Sequence, residues 1–355
     1  MEYRHGGDVY SNQGVFCDYS ININPLGMPD FIKNAAIRGI ESSSRYPDSR
    51  CLRLTERVSS AYGTDPKTLI FGNGAAELIF AVCRAVRPKR AVLLAPSFTE
   101  YESALQAVGA ECTYFYLKEE QDFGLPIEEY IDFLRQEAPD MIFLCGPSNP
   151  VGDMLRPEDV KRIVTFCGEK NIFAVIDECF MELAGADNKA SAISLVKNGY
   201  RRLMILRAFT KTFAMAGLRL GYGFSADPEL LEKMRSSMQP WSVSIPAQEA
   251  GYAAFGPEGE EYVKRAVSLI REERRFIENS LPEGAFKKYP SSANYILFRD
   301  LTGRPARAFY EYMLRQGILI RCCDDYRGLG GTFYRVCVKK REDNIILEKY
   351  IKGYL

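Results

Sequence analysis

The most reactive arrangement in this sequence is a lysine among apolar and small neighbours, Ala208-Phe209-Thr210-Lys211-Thr212-Phe213, directly after the apolar run Leu203–Leu206. Such surroundings desolvate an amine, disfavour its charged form and leave a lone pair able to form a Schiff base with a carbonyl. A loop lysine is ordinarily only a solvated charge, so Lys211 gains meaning from partners. Asp177-Glu178 follows the apolar run Phe173–Ile176 and would point into the crevice at the carboxyl ends of parallel strands; a helix N-cap is the plain alternative. Arg219, in Gly217-Leu218-Arg219-Leu220-Gly221-Tyr222, calls for an anion, either a phosphate or an internal carboxylate. Arg321 and Arg335 each sit in an apolar, strand-like run, which places them on neighbouring strands. Two embedded guanidinium groups suit bidentate capture of carboxylate or phosphate, or else a pair of internal salt bridges. Gly72-Asn73-Gly74 precedes a helix-like stretch and fits either an anion-binding turn or a merely tight one.

What is missing narrows the chemistry as much. The chain of 355 residues has one histidine, His5. No histidine-based metal cluster can be built within one chain, and a Ser-His-Asp triad would have to use that residue. No metal site is expected. The ten cysteines are scattered and include no C-x-x-C pair, so reduced thiols are expected, including the adjacent Cys322-Cys323. Lys+Arg and Asp+Glu are equal at 46 each, which offers nothing to nucleic acid. The first residues carry no apolar signal-type run, and Ala91–Ala95 and Met141–Cys145 are too short to span a bilayer. A cytoplasmic location with no membrane contact is the expectation.

The elements that must position these residues alternate. From about residue 69, strand-like runs at Leu69–Phe71, Ala91–Ala95, Met141–Cys145, Phe173–Ile176, Leu203–Leu206 and Leu218–Phe224 are separated by helix-length segments. That rhythm predicts an α/β fold with a mainly parallel sheet covered on both faces. After Pro246 a long helical stretch over 247–280 is expected. Strands at Asn294–Phe298, Ile318–Arg321 and Phe333–Val338 follow, which suit a smaller α+β domain. The expected division is an N-terminal segment 1–44, a large domain 45–245 and a small domain 246–355. Loops near Ala184–Asn188 and Arg327–Thr332 are candidate mobile segments.

The order of these signals resembles the fold-type I pyridoxal-phosphate enzymes, the class I and II aminotransferases, over nearly the whole chain. It runs Gly-rich turn, Phe98 after Pro-Ser, Asn149-Pro150-Val151-Gly152, Asp177, Lys211, Arg219 and a late arginine. Several motifs resemble threonine-phosphate decarboxylases in particular. They are His5-Gly6-Gly7, Asn22-Ile23-Asn24-Pro25-Leu26-Gly27-Met28-Pro29, Arg45-Tyr46-Pro47-Asp48 and Pro240-Trp241-Ser242-Val243. Histidinol-phosphate aminotransferases share the cofactor residues.

The resemblance implies a pyridoxal-phosphate-dependent large domain with a seven-stranded sheet and a set of roles. Lys211 would carry the cofactor as a Schiff base, and Asp177 would keep its pyridine nitrogen protonated. Asn149 would bind the phenolic oxygen and Phe98 would stack on the ring. Arg219, Thr210 and the backbone of Ala75 and Ala76 would hold the phosphate. Tyr46 would reach that phosphate from a second subunit, which implies a homodimer with shared sites. A small phosphorylated amino acid would meet His5, Gly6, Asn22, Asn149, Arg321 and Arg335. Arg335 would take the α-carboxylate; Arg321 and the N-terminal segment would take the phosphate. Two positions depart from many relatives: Ala208 stands where a phosphate-binding serine is common, and Phe180 where a tyrosine hydroxyl helps hold the phenolic oxygen.

Overall fold

The computed structural model describes residues 5–185 and 190–355. Thirteen strands occur among them. In chain order they are β1 (Cys17–Asp18), β2 (Leu69–Gly72), β3 (Arg90–Ala95), β4 (Glu111–Tyr116), β5 (Met141–Cys145), β6 (Phe173–Asp177), β7 (Leu203–Ala208), β8 (Gly221–Phe224), β9 (Phe286–Lys288), β10 (Tyr295–Asp300), β11 (Ile318–Leu319), β12 (Arg321–Cys322) and β13 (Phe333–Cys337). Seven form one sheet in the order β2-β8-β7-β6-β5-β3-β4. All neighbours in it are parallel except β8, which runs antiparallel to both β7 and β2. The fold is thus α/β, with a mostly parallel seven-stranded sheet and a separate four-stranded antiparallel sheet, β12-β13-β10-β9.

The central strands read as unbroken apolar runs because both faces are buried. Ile142, Leu144, Ala174, Ile176, Leu203 and Ile205 point to one apolar core, which also takes Ile32 and Leu54 from the N-terminal helices Asp30–Glu41 and Leu52–Tyr62. Ala247, Ala250 and Ala254 of helix Ile245–Ala254 enter the same core. Their small side chains allow close packing: a Cβ on Gly39 of the first helix would lie 2.6 Å from Pro246 Cα. Met141, Phe143, Val175, Met204 and Leu206 point to the opposite core, built with helix Ala75–Val86. A third core, with Phe298, Phe309, Tyr334 and Leu347, backs the four-stranded sheet.

The structure corrects three expected elements. The helical stretch over 247–280 is two helices, Ile245–Ala254 and Pro257–Ser280, broken at Phe255-Gly256. Pro257 has no N–H to continue the first helix and instead opens the second. The run Leu218–Phe224 is a strand only from Gly221, because Arg219 adopts the left-handed conformation (φ 57°). Ile318–Arg321 is split: β11 pairs in parallel with β1, whereas β12 pairs with β13. The N-terminal segment is therefore hydrogen-bonded to the C-terminal third of the chain. Of the two candidate mobile loops, residues 186–188 lie outside the described residues. In the other, Arg327 pairs with Glu102 at 3.0 Å and covers the Tyr114 ring at 4.0 Å.

A buried ion-pair network lies behind the sheet's carboxyl edge. Arg207, 1% exposed, donates from Nε to Glu178 at 2.9 Å and from Nη1 to Glu182 at 2.6 Å. Glu178 also accepts from the Ser191 hydroxyl and the Ala192 N–H. Removing one partner of such a network strands a buried charge, at a cost of about 3–5 kcal/mol.

Gly221 joins sheet and site. A Cβ there would lie 2.2 Å from the backbone nitrogen of Ala75, the first residue of helix Ala75–Val86. Gly221→Ala is therefore expected to push that helix start off the strand and to destabilise the fold by about 1–3 kcal/mol, the scale of overpacking. Urea melts monitored by circular dichroism check this; unchanged stability would show that the helix start yields freely.

Candidate active site

Four parallel strands end at one crevice and deliver its side chains, as open α/β sheets do. β6 ends on Asp177, which is 5% exposed. β7 runs into the four-residue helical turn Phe209–Thr212, which carries Lys211. The loop after β5 carries Asn149, and the turn after β3 carries Phe98. The antiparallel β8 brings Arg219 back to the turn Gly72-Asn73-Gly74 after β2. Gly74 there has φ 81°, and a Cβ on it would sit 2.5 Å from Arg219 Nη2. Glycine is thus required twice over, for its conformation and for the approach of the guanidinium.

The crevice is a cavity of about 510 Å³. Lys211, Asp177, Asn149, Phe98, Arg219, Thr210, Ala75 and Ala76 line it from the large-sheet side. His5, Gly6 and Asn22 line it from the N-terminal segment, and Arg321 and Arg335 from the four-stranded sheet. Tyr46 is the one anticipated residue outside it. Its ring is 76% exposed and stacks on Trp241 at 4.6 Å.

Burial pushes the Lys211 amine down to about 8, with Arg335 and Arg219 adding to the shift against the opposing pull of Cys179 and Asp177. Its Nζ lies 5.7 Å from the centre of the Phe180 ring. The Lys211 backbone is pinned from the N-terminal segment: Asn24 N–H donates to the Lys211 carbonyl at 3.2 Å, and Asn24 Nδ2 to the Thr212 carbonyl at 2.7 Å. Asp177 accepts from the Tyr101 hydroxyl at 2.7 Å and from the Cys179 N–H at 2.9 Å. Tyr101 is fully buried, stacked on Phe143 at 4.7 Å and edge-on to Phe98 at 5.5 Å.

Arg321 and Arg335 are direct partners across β12 and β13, so their side chains leave the same face of the sheet. Arg335 donates to Asn149 Oδ1, to the Tyr326 hydroxyl at 3.3 Å and to the Ser20 carbonyl at 2.9 Å. Its buried Nε has no hydrogen-bond partner, and neither has the buried Oδ1 of Asn22. Arg321 donates from Nη2 to both oxygens of Asp325, each at 2.7 Å. Gly6 packs on Ser20, whose carbonyl oxygen would lie 2.2 Å from a Cβ at that position, and Gly7 N–H donates to Ser20 Oγ at 2.7 Å. Phe180, buried, meets the Tyr295 ring edge-on at 5.1 Å, and the Tyr295 hydroxyl donates to the Ser148 carbonyl at 2.8 Å.

Sequence reasoning missed Tyr101, Tyr326, Asn24 and Asp325. Tyr101 was the most accessible of these, one helical turn beyond Phe98. Tyr326 and Asn24 have partners far away in sequence, at Asn149 and Lys211, whereas Asp325 lies four residues from Arg321 and was within local reach. Among the described residues no group of His, Cys, Asp and Glu could hold a metal ion. All ten cysteines are free thiols, and burial raises the value of each. No described helix is long and apolar enough to cross a membrane.

The low value of Lys211 carries a stability consequence with a definite sign. An unfolded lysine titrates near 10.5 and the folded one near 8. Between those values the unfolded chain binds more protons, so this group's contribution to stability rises with pH across the window. Below pH 8 the full cost of a charged, buried amine is present. Ligand-free Lys211→Met protein is therefore expected to be more stable than the parent at pH 7, with the gap closing toward pH 10.5. Urea melts at both pH values test this, and a variant less stable at pH 7 would contradict it.

Residues 16–349 match the family described as aminotransferase class I and II. A protein of Caldanaerobacter subterraneus subsp. tengcongensis, provisionally named a threonine-phosphate decarboxylase, is 36% identical over 99% of this chain and 94% of its own length. The threonine-phosphate decarboxylase of Salmonella typhimurium is 32% identical, covering 96% and 93%. The histidinol-phosphate aminotransferase of Methanosarcina mazei is also 32% identical, covering 94% and 86%. Among solved structures, the histidinol-phosphate aminotransferase of Clostridium acetobutylicum superposes with a TM-score of 0.87 at 30% identity, over 95% of this chain and 98% of that one. The L-threonine-O-3-phosphate decarboxylase of Porphyromonas gingivalis superposes with a TM-score of 0.82 at 20% identity, over 95% and 98%, and so attests to the fold. With the mostly parallel seven-stranded sheet, the Lys211–Asp177 crevice and a family match over nearly its full length, this chain belongs to the class I and II aminotransferase family of fold-type I pyridoxal-phosphate enzymes.

Proposed function

We propose that this protein is a pyridoxal-phosphate-dependent decarboxylase of O-phospho-L-threonine, forming (R)-1-amino-2-propanol O-2-phosphate for cobalamin biosynthesis. The observation that carries this reading is the pair of cross-strand partners Arg321 and Arg335, facing the same cavity as Lys211 with His5 beside them. A substrate with two anionic ends, a carboxylate and a phosphate, suits two arginines held at fixed separation. The two relatives named for this decarboxylation support the choice.

The residues present fit the cofactor. Gly74 leaves room that a Cβ would fill, Arg219 lies against it, and the helix that opens at Ala75 presents free N–H groups to an anion. Arg219, Thr210 and the amides of Ala75 and Ala76 would hold the cofactor phosphate. Asp177, held by Tyr101, would face the ring nitrogen, Phe98 the ring face and Asn149 the phenolic oxygen. Lys211 would hold the group covalently. When bound, pyridoxal phosphate is an electron sink that weakens whichever bond at the substrate α-carbon stands perpendicular to its ring.

The chain's own residues decide which bond that is. Arg335 takes the α-carboxylate, with its unpartnered Nε among the donors available. Arg321 and His5 take the phosphate, with Gly6 and Asn22 beside them. Anchoring both ends would fix the orientation of the carboxylate in the site, which would favour loss of CO₂ over loss of a proton. Lys211 Nζ, with a value near 8, moves a proton to the α-carbon near neutral pH. Phe180 brings no hydroxyl to the phenolic oxygen. The phenol packed against it, Tyr295, donates instead to the Ser148 carbonyl.

A second reading is a histidinol-phosphate aminotransferase, favoured by the relatives of that name at similar identity. Incubation with O-phospho-L-threonine and no keto acid separates the two. The decarboxylase releases CO₂ and one equivalent of the phosphorylated amino alcohol. Turnover only with histidinol phosphate and 2-oxoglutarate would replace the first reading by the second.

We also place the active unit as a homodimer. Ile37, Ile40, Leu52, Tyr46 and Trp241 are large apolar side chains, all at least 45% exposed, and Tyr46 and Trp241 stack on one another. A partner covering them would receive Tyr46 at its own cofactor phosphate. A mixed dimer of Tyr46→Phe and Lys211→Ala subunits then holds one intact site and one carrying both lesions. The expected activity is half that of the parent dimer. Activity no higher than half that of the Tyr46→Phe dimer would assign Tyr46 to its own chain.

A further inference from the structure

The two substrate anchors differ in what they hold. Among the described residues Arg335 has no carboxylate partner; it is held by Asn149, Tyr326 and Ser20. Arg321 already holds a carboxylate. Its Nη2 donates to both oxygens of Asp325 at 2.7 Å, while Nη1 is committed to the Cys322 carbonyl at 2.9 Å. The Tyr326 ring lies under the same guanidinium, 5.2 Å away. His5, at the same end of the cavity, shows a parallel arrangement, with Nε2 at 3.1 Å from Glu100 Oε1. The end of the cavity assigned to a phosphate is thus already filled by carboxylates.

We infer that Asp325 is a specificity-determining residue: it occupies Arg321 when no ligand is bound and sets the threshold that an incoming anion must exceed to replace it. The inference rests on the reading of Arg321 as the phosphate anchor. Asp325 is tethered four residues away, so its effective concentration is on the order of millimolar or higher. A ligand carboxylate brings the same charge and the same two oxygens, and gains little by the exchange. A phosphate brings nearly twice the charge and a third oxygen, for which His5 supplies a second donor. The displaced Asp325 has somewhere to go. Its side chain is 19% exposed and lines an adjoining cavity of about 390 Å³ that also holds Arg307 and Tyr310. The consequence is a site closed to simple carboxylates at ordinary concentrations and open to phosphorylated substrates.

Calorimetric titration of the cofactor-loaded enzyme with inorganic phosphate and with glutarate tests this without turnover. In Asp325→Asn and Asp325→Ala, phosphate is expected to bind about ten- to hundredfold tighter, the effect of removing one competing charge-assisted hydrogen bond. Glutarate is expected to give no detectable binding to the parent enzyme and measurable binding to both variants. Adding Arg321→Gln to either variant abolishes both gains. Phosphate binding that is unchanged or weaker in both single variants overturns the inference, because Asp325 then only holds Arg321 in place. Gains that survive Arg321→Gln overturn it too. If these titrations succeed while O-phospho-L-threonine is not decarboxylated, the proposed reaction fails and the role of Asp325 stands.

Discussion

Positive charge held in a partly dry cavity is the constraint around which this molecule is arranged. Lys211, Arg219 and Arg335 converge on one crevice, and each raises the electrostatic cost of the others. Asp177 is the one acidic side chain delivered to that crevice by a central strand. The lysine answers by giving up its proton near pH 8, far below its ordinary value. The same shift that relieves the strain makes it a nucleophile at neutral pH. Anions are what this arrangement lacks, and a cofactor and substrate that both carry phosphate would bring them.

Holding like charges together requires a rigid frame, and the frame is the carboxyl edge of the seven-stranded sheet. The central strands are buried on both faces, so their ends are fixed by two cores at once. Behind that edge Arg207 is matched by Glu178 and Glu182. The cation beneath the site is therefore neutralised, whereas Arg335 in the site has no carboxylate partner among the described residues. Asp177 is fixed by a fully buried tyrosine that is itself clamped between Phe98 and Phe143. The carboxylate thereby keeps one orientation.

The third wall is assembled from the two ends of the chain. β1 pairs with β11, and Ser20 receives Arg335 on its carbonyl and Gly7 on its hydroxyl. Asn24 then ties the same segment to the backbone of Lys211. The N-terminal segment thus bridges the lysine turn and the arginine strands, and its Asn-Pro-Leu-Gly run has a structural task beside any contact with substrate.

Much of this was legible without coordinates. Apolar runs buried on both faces announce a parallel sheet, and groups that follow such runs fall at its carboxyl edge, so Asp177 and Lys211 could be named as neighbours, while Asn149 was named through the family resemblance. The arginine pair was readable because each guanidinium interrupts an apolar strand. Local breaks were less visible: the left-handed Arg219 shortens β8, and the helix break at Phe255-Gly256 divides a stretch read as one helix. Contacts between distant segments were hidden altogether. Tyr101 on Asp177, Tyr326 between Asn149 and Arg335, and Asn24 on Lys211 join residues 76 or more positions apart, apart from the Tyr326–Arg335 contact. Periodicity and residue type by themselves indicated a mainly parallel sheet and a need for anions, since burial and charge are written locally; the role of Lys211 came with the family resemblance. Which cations stay open and which are already matched, Arg335 against Arg321, was decided only by the tertiary structure, because a side chain's partner depends on where the chain returns in space.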